Sequence, residues 1–224
     1  MRWLREQRAR WFRLGPARSL TIAIVVELFC GTGHFAKAME EHRPVLRWDI
    51  LMGPDYDLTK HSVQILFFGW LRAGWVCAVW MGTPCNSFSK ARNQPGGPAA
   101  LRDKDHFNGL LDMRPCAVTA VRLGHLLARF SARVFVLCCL FLLPVVIENH
   151  HTSWLWEFPP MRRLLSRRDS TFTITELCGW QKLPFRRSTG FASANIDMSA
   201  IGNIRCLGAA RGCCKFTNKP HQPL

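Results

Sequence analysis

The sequence predicts an α/β fold in which a mostly parallel β-sheet carries helices on both faces. Short runs of β-branched and aromatic residues alternate with segments of helical periodicity, which is typical of this fold class. Apolar residues make up 48% of the chain and charged residues 20%, a composition that indicates a folded protein. With 224 residues, the chain is long enough for one ordinary domain with its own core.

The first half of the chain predicts three strands separated by two helices. Residues 20–29 form a β-branched run that ends in a Gly-rich turn, and residues 34–42 have a helical pattern. Residues 44–50 predict a second strand that ends in an acid. A helix over 61–74 and a buried strand over 75–81 follow.

The second half begins with a long polar segment. Residues 82–115 contain eight glycines and prolines, and a loop of this length in a compact domain is usually functional or disordered. Residues 116–140 predict a helix, and strands are predicted over 144–149 and 170–177. From residue 178 onward the sequence is rich in Gly, Cys, Arg and Lys, which predicts irregular structure.

The net charge of +15 lies mainly at the two ends of the chain. Residues 1–18 contain six arginines and one acid, and residues 161–224 contain eleven basic residues and three acids. Such charge favours a nucleic-acid partner, because each phosphate that a basic side chain neutralises releases counterions. A basic organellar protein is the alternative. The changes in charge and composition along the sequence divide the chain into a basic arm (1–18), an α/β domain (19–190) and a basic Cys/Gly-rich extension (191–224).

The cysteines and the apolar runs indicate in which cellular compartment the protein is expected. Cys77, Cys138 and Cys139 lie in apolar runs, where a free thiol packs as a small hydrophobe, and the N-terminus lacks the apolar core of a secretory signal. We therefore expect an intracellular protein, nuclear or organellar, with an Arg-rich transit peptide as one interpretation of the N-terminus. The longest apolar run, 134–147, is shorter than the roughly 20 residues that span a bilayer, so no membrane partner is expected.

Glycines and acids follow the first two predicted strands, at the edge where parallel sheets bind ligands. Gly31 and Gly33 permit a tight turn and a close backbone approach to a ligand, although an ordinary strand-to-helix turn has the same residues. Asp49 could accept hydrogen bonds from two ribose hydroxyls, and Asp57 from an adenine amino group. Solvated loop carboxylates are the alternative. Together these residues predict a nucleoside pocket.

Cys85 and Glu148 follow the third and fourth predicted strands. Cys85 lies beside Pro84 and a Gly-rich loop, so it is a candidate nucleophile, with a structural cysteine as the alternative. Glu148 ends a buried strand, where a carboxyl is costly unless it is paired or used. A protonated Glu148 could donate to a ring nitrogen of a base, and a capping or salt-bridged glutamate is the alternative.

With these motifs the chain resembles the C5-cytosine DNA methyltransferase family. The sequence ELFCGTGHF (27–35) is similar to the family's first motif, GTPCNSFS (82–89) to its Pro-Cys motif, and IENHHTSWLW (147–156) to its Glu-Asn motif. Their order and strand context agree over roughly residues 20–190. The resemblance implies a class I, Rossmann-like methyltransferase fold for the domain over 19–190, with S-adenosylmethionine as the cofactor.

The resemblance also implies roles for individual residues. Cys85 would attack C6 of an extruded cytosine and Glu148 would hold N3, so that C5 accepts the methyl group. Asn149 would brace the Pro-Cys loop, and the segment 86–114 would close over the base. Arg187 is the one residue that falls in place in the family's Gln-x-Arg-x-Arg motif. The implied cofactor-binding residues are Phe29, Gly31, Gly33, Asp49, Asp57 and Pro84.

The chain also departs from the family. Asn86 follows Pro-Cys where Gln is usual, and His150 follows Glu-Asn where Val or Pro is common. About 40 residues follow Arg187, too few for the family's target recognition domain and final helix, which suggests a minimal domain, a truncated one, or one that depends on a protein partner for recognition. The function could therefore be methylation of DNA, the same chemistry on RNA, or nucleic-acid binding by a catalytically degenerate relative.

The C-terminal part contains a second group of reactive side chains. Cys206, Cys214 and His221, together with Cys178 upstream, are of the types that bind zinc. Their spacing is irregular and matches no close Cys-x-x-Cys pair, so they are a weak candidate zinc set. A basic, Gly-rich tail that contacts phosphates is the alternative.

Overall fold

Six strands form one sheet in the computed structural model, which describes residues 23–93, 97–181, 187–202, 204–206 and 213–221. The strands are β1 (Ile24–Leu28), β2 (Val45–Trp48), β3 (Val76–Met81), β4 (Val145–His150), β5 (Thr171–Glu176) and β6 (Ser188–Ala194). The helices are α1 (His34–Met39), α2 (His61–Arg72), α3 (Pro115–Leu140), α4 (Pro159–Leu165), α5 (Leu177–Gln181) and α6 (Ser199–Gly202). Short 3-10 turns span Ile50–Met52, Pro54–Tyr56 and Lys90–Asn93.

The strand order is β2-β1-β3-β4-β6-β5, and the first four strands pair in parallel. Strand β6 is antiparallel to both of its neighbours, β4 and β5. Because β6 reverses the direction, β5 runs the same way as β1 to β4. The prediction of an α/β fold with a mostly parallel sheet is therefore confirmed.

Helices cover the two faces of the sheet unequally. Alternate residues of β4 point to opposite faces: Val145 and Ile147 lie in the large core with helices α2, α3 and α4, whereas Val146 packs in a small cluster with Met198. The second face is covered by α1, whose Phe35 stacks on Trp80, and by residues around α6. Strand β1 is buried along its whole length, which explains its continuous apolar sequence.

Helix α3 is the longest element, and Pro115 occupies its first turn, where a missing N–H costs nothing. By length and composition it could cross a membrane, but half of its most apolar stretch is buried inside the protein. Cys138 and Cys139 of this helix are 0% and 7% exposed, so they pack as small hydrophobic side chains as predicted. Burial raises the pKa of the Cys138 thiol to about 12, which leaves it unreactive.

The prediction of irregular structure after residue 178 is wrong. Strand β6 lies between β4 and β5, and it spans the domain boundary predicted at residue 190. Its sequence, STGFASA, has small and polar residues and none of the β-branched apolar runs that marked the other strands. It is nevertheless buried throughout, because its two neighbouring strands supply hydrogen bonds on both sides. The predicted basic arm, 1–18, lies outside the described residues.

Candidate functional site

The carboxyl ends of β1 to β4 meet at one edge of the sheet. Leu28 is in register with Trp48 and with Met81, and Met81 is in register with Ile147. The residues that follow β1, β2 and β3 and the last residues of β4 therefore lie along the same edge: Phe29, Gly31, Gly33, Asp49, Pro84, Cys85, Glu148 and Asn149. Strand β5 also ends here, because Glu176 is in register with Ser188 at the start of β6.

The Gly-rich turn after β1 is tied to the end of β2. Gly31 and Gly33 have φ angles of +50° and +69°, in the left-handed region that favours glycine. The Gly31 N–H donates to Asp49 Oδ2 at 3.0 Å, and Asp49 Oδ1 accepts from the Leu51 N–H at 3.0 Å. Phe29 also has a left-handed φ of +57°, which is strained for a residue with a side chain and is a frequent feature of functional sites.

Two further residues bear on the predicted nucleoside pocket, Asp57 and Ile50. Asp57 Oδ1 accepts from the Thr59 hydroxyl at 2.6 Å and from its N–H at 3.0 Å, and the hydroxyl bond lowers the pKa of Asp57. Asp57 thus stabilises the turn before α2, and its contact with adenine stays a prediction. Beside Asp49, the side chain of Ile50 is 54% exposed and free to contact a ligand.

The Pro-Cys loop is held by the strand next to it. The Asn149 side-chain amide donates to the Thr83 carbonyl at 2.7 Å, directly before Pro84 and Cys85. The Thr83 hydroxyl donates to Ser131 of α3 at 2.9 Å. Cys85 itself is exposed, and its carbonyl accepts from the Phe88 N–H at 2.7 Å. The loop therefore presents a free thiol from a fixed backbone.

Glu148 lies on β4, one strand from this thiol. Burial raises the pKa of its carboxyl, and Arg187 and a hydrogen bond from Trp80 oppose this effect. The Trp80 ring is stacked on Phe35, with the ring centroids 4.4 Å apart. The raised pKa favours the protonated carboxyl, which is the form that could donate to a ring nitrogen. Arg187 is exposed, just before β6 begins.

Two residues of this edge were missed by sequence reasoning. Glu27 is only 5% exposed and accepts the Ala36 N–H at 2.9 Å, which fastens α1 to β1, and burial raises the pKa of its carboxyl. Trp80 is the second, through its contact with Glu148. An acid inside an otherwise apolar strand was the available signal for Glu27, whereas a tryptophan in a buried strand carries none.

The segment after the Pro-Cys loop is anchored at its centre by Arg102, which is 1% exposed. Its guanidinium donates to the Ser87 carbonyl at 2.8 Å, to the Val121 carbonyl at 3.3 Å and to the Phe107 carbonyl. It also lies 4.0 Å from the centre of the Phe88 ring. Burial lowers the pKa of Arg102 to about 10, so the group stays charged at neutral pH. The segment 86–114 is thus tied to α3 at its centre.

Positive charge also lines a groove away from this edge. A cavity of about 650 Å³ lies between α2, α3 and α4 and is lined by apolar side chains and by five arginines: Arg72, Arg129, Arg133, Arg163 and Arg167. The residues that line it include neither an acid nor a cysteine. Five guanidinium groups give this groove a positive charge, whereas the acids and the exposed thiol of the candidate site lie at the sheet edge.

The four residues of the candidate zinc set are brought together. The ligand atoms of Cys178, Cys206, Cys214 and His221 all lie within 4.8 Å of one another. The three cysteines are buried and the histidine is half-buried. Cys178 is in α5, directly after β5, so this cluster lies along the same sheet edge as Cys85 and Glu148.

The chain was compared with known proteins. No protein-family model matches it. No curated protein matches it by sequence. One solved structure that it resembles is the Entamoeba histolytica methyltransferase EhMeth, with a TM-score of 0.41 and 12% sequence identity. The match covers 80% of this chain and 54% of that protein, so this chain spans about half of its length.

Proposed function

We propose that the chain transfers a methyl group from S-adenosylmethionine to C5 of cytosine in DNA. One observation carries the proposal: an exposed thiol and a buried carboxyl, whose pKa is raised by burial, lie at the ends of adjacent strands, and Asn149 ties the two ends together. The resemblance of the three motifs to C5-cytosine methyltransferases supports the same chemistry. Elsewhere at this edge, the Gly31–Asp49 pair supplies a site for a nucleoside.

The residues around the Gly-rich turn fit the nucleoside part of the cofactor. Each Asp49 carboxylate oxygen accepts one backbone N–H and retains a lone pair, so it can also accept from a ribose hydroxyl. Gly31 and Gly33 add no side chains at their two positions of the turn, and Ile50 offers an exposed apolar surface for a base. When bound, S-adenosylmethionine would supply an electrophilic methyl group.

Cys85 and Glu148 divide the chemistry on the base. The Cys85 sulfur forms a bond to C6 of an extruded cytosine while the Glu148 carboxyl donates its proton to N3. The electron pair of the C5–C6 double bond moves to C5, which becomes nucleophilic towards the methyl group that S-adenosylmethionine would supply, with S-adenosylhomocysteine as the leaving group. Loss of the C5 proton to a base, return of the N3 proton to Glu148 and departure of the Cys85 thiolate from C6 restore the aromatic ring.

Covalent trapping tests the proposal. Fluorine at C5 cannot leave as a proton does, so a duplex pool with 5-fluorocytosine in all neighbouring-base contexts should capture the enzyme when S-adenosylmethionine is present. We expect a denaturation-resistant adduct with the wild-type protein and with Cys116→Ser, a second exposed cysteine, but none with Cys85→Ser. Wild-type protein that forms no adduct with this pool or with matching RNA would contradict the proposal.

A second candidate function is nucleic-acid binding without catalysis. The five-arginine groove favours it, because this groove lies away from the sheet edge and could bind phosphates by itself. Salt-dependent binding that persists in Arg129→Ala/Arg133→Ala would contradict a role for the groove. Binding without cofactor affinity, measured by calorimetry, would favour this function over methyl transfer. An adduct with RNA but not with DNA would support the same chemistry on RNA.

A further inference from the structure

We infer that Cys178, Cys206, Cys214 and His221 bind one zinc ion, and that this ion fastens the C-terminal segment to the sheet edge beside the candidate active site. The inference is independent of methyl transfer, because it rests on a separate set of side chains. All four ligand atoms lie within 4.8 Å of one another.

The distances within the cluster match those around a tetrahedral ion. Zinc–thiolate bonds of ~2.3 Å and zinc–imidazole bonds of ~2.0 Å require edges of about 3.8 Å between sulfurs and roughly 3.5 Å between sulfur and nitrogen. The Cys206 and Cys214 sulfurs are 3.8 Å apart, and the Cys206 sulfur lies 3.7 Å from His221 Nε2. Four ligand atoms at these separations leave a central space suited to an ion rather than to a side chain.

The chemical types of the four ligands select zinc and a structural role. Thiolates and imidazole are ligands that zinc prefers over Mg²⁺ or Ca²⁺, which prefer oxygen. Cys178, Cys206 and Cys214 are each at most 1% exposed, so no water-accessible position remains on their side of the cluster. A set of four protein ligands is typical of structural zinc sites, whereas catalytic sites keep one position for water.

The backbone holds the two C-terminal ligands in place. Residues 213–221 form a small hairpin. Cys213 and Pro220 form an antiparallel β-bridge, and the Cys214 N–H donates to the Lys219 carbonyl at 2.7 Å. The Asn218 N–H donates to the Cys214 carbonyl at 2.9 Å. Neighbouring Cys213 is half-buried and is not among the four clustered ligands, although it is adjacent in sequence.

The other two ligands are fixed to the sheet. Cys178 is the second residue of α5, two residues after β5 ends at Glu176. The Glu176 N–H donates to the Ile204 carbonyl at 3.0 Å, which holds the segment that carries Cys206 against the end of β5. Since β5 ends beside the start of β6, next to Arg187, the ion would join residues 204–206 and 213–221 to the edge that contains Glu148.

Metal analysis of the full-length protein tests the inference. Protein expressed with zinc in the medium and purified without chelator should contain about one zinc per chain. Cys206→Ser should lose it, while Cys213→Ser should keep it and serves as the matched control. His221→Cys, which replaces one zinc ligand with another, should also keep the ion, so a folded variant set remains even if Cys206→Ser is unstable.

Replacement of zinc by Co²⁺ gives a second readout. Tetrahedral cobalt bound by three thiolates should show strong sulfur-to-metal charge-transfer absorption, which Cys206→Ser should lose and Cys213→Ser should retain. Three results would overturn the inference. These are wild-type protein without zinc or a cobalt spectrum, a disulfide between Cys206 and Cys214 in freshly purified protein, and equal metal loss in the two serine variants.

Discussion

Two cysteine-containing sites lie along one edge of the sheet, and their surroundings give them different chemistry. Cys85 is exposed on a loop that Asn149 braces, and Glu148, the acid proposed to act with it, is on the adjacent strand. Cys178, Cys206 and Cys214 are buried against one another and against His221. A single accessible thiol suits attack on a substrate, whereas several converging thiols suit an ion.

The two sites also differ in how their residues are distributed along the chain. Cys85 and Glu148 belong to contiguous motifs directly after strands, so strand prediction alone places them at one edge. The zinc candidates come from α5, from the segment after α6 and from the C-terminal hairpin. Their proximity depends on β6, whose sequence gives little indication of a strand.

Replacing one cysteine of each site by serine should give the largest difference between the two sites, in adduct formation and in stability. Cys85→Ser should lower adduct formation on 5-fluorocytosine DNA by ~10³-fold or more, and it should leave stability unchanged because the side chain is exposed. Cys206→Ser should instead lower the free energy of unfolding by roughly 3 kcal/mol through loss of the ion. Urea denaturation and denaturing gels measure the two effects. Equal losses of stability in Cys85→Ser and Cys206→Ser would contradict the proposed difference between a reactive and a structural site.

The anchor of the segment 86–114 should also affect stability. Arg102→Met removes the donors to the Ser87, Phe107 and Val121 carbonyls and leaves buried acceptors without partners. We expect a loss of roughly 3 kcal/mol in the free energy of unfolding, and faster proteolysis within the segment. The exposed Arg114→Met is the control and should change stability by less than about 0.5 kcal/mol. A stable Arg102→Met protein would show that the anchor is unimportant.

The brace of the Pro-Cys loop should have a smaller effect. Asn149→Ala leaves the Thr83 carbonyl without its side-chain donor in a buried position. We expect a loss of about 1–3 kcal/mol of stability, together with slower adduct formation at Cys85. Zinc content should not change, since Asn149 lies outside the cluster. Loss of zinc in this variant would show that the two sites are not independent.

The proposed cofactor site at the Gly31–Asp49 pair gives a further prediction. Asp49→Ala should weaken S-adenosylmethionine binding on the order of tenfold, because acceptors for two ribose hydroxyls are removed. Isothermal calorimetry measures this affinity, and Asp55→Ala, an exposed acid in the following turn, is the control. Unchanged affinity in Asp49→Ala would refute the assignment of this pocket.

The raised pKa of Glu148 predicts the smallest effect, a pH dependence of stability. Burial makes the folded protein hold the Glu148 proton more tightly than the unfolded chain does. Its contribution to stability is therefore full below the ordinary pKa of 4.5 and is lost as the pH rises through the raised pKa. Relative to Glu148→Gln, the wild type should lose stability over that interval, as measured by urea denaturation at several pH values. A constant difference would contradict a shifted pKa.

Sequence patterns predicted the elements that have strong apolar periodicity. Strand β3 and helix α3 begin and end within one residue of the predicted positions, because their apolar runs are bounded by glycine or proline. Strand β6 was missed because its burial depends on its neighbours. Arg102 was missed for a related reason, since a lone arginine in a polar segment gives no indication that folding will bury it.

For the candidate sites too, the sequence predicted which strand ends meet but not which side chains are buried. Spacing placed Gly31 and Asp49 at one edge, and the hydrogen bond between them follows from that placement. The sequence alone does not show which neighbour of Asp49 faces a ligand: Trp48 is 2% exposed and its ring packs against Trp70 in the core, whereas Ile50 is 54% exposed. Which face of a strand a side chain occupies is set by packing, and the sequence of β2 is too short to show it.

Intact-mass analysis of one sample tests the account most directly. The full chain is incubated with S-adenosylmethionine and the 5-fluorocytosine duplex pool, and the complex is examined under native conditions before digestion. We predict one species that contains the chain, one oligonucleotide, one transferred methyl group and one zinc ion, with the base attached to the peptide that contains Cys85. An adduct on Cys178, Cys206 or Cys214, or zinc-loaded protein that forms no adduct, would contradict it.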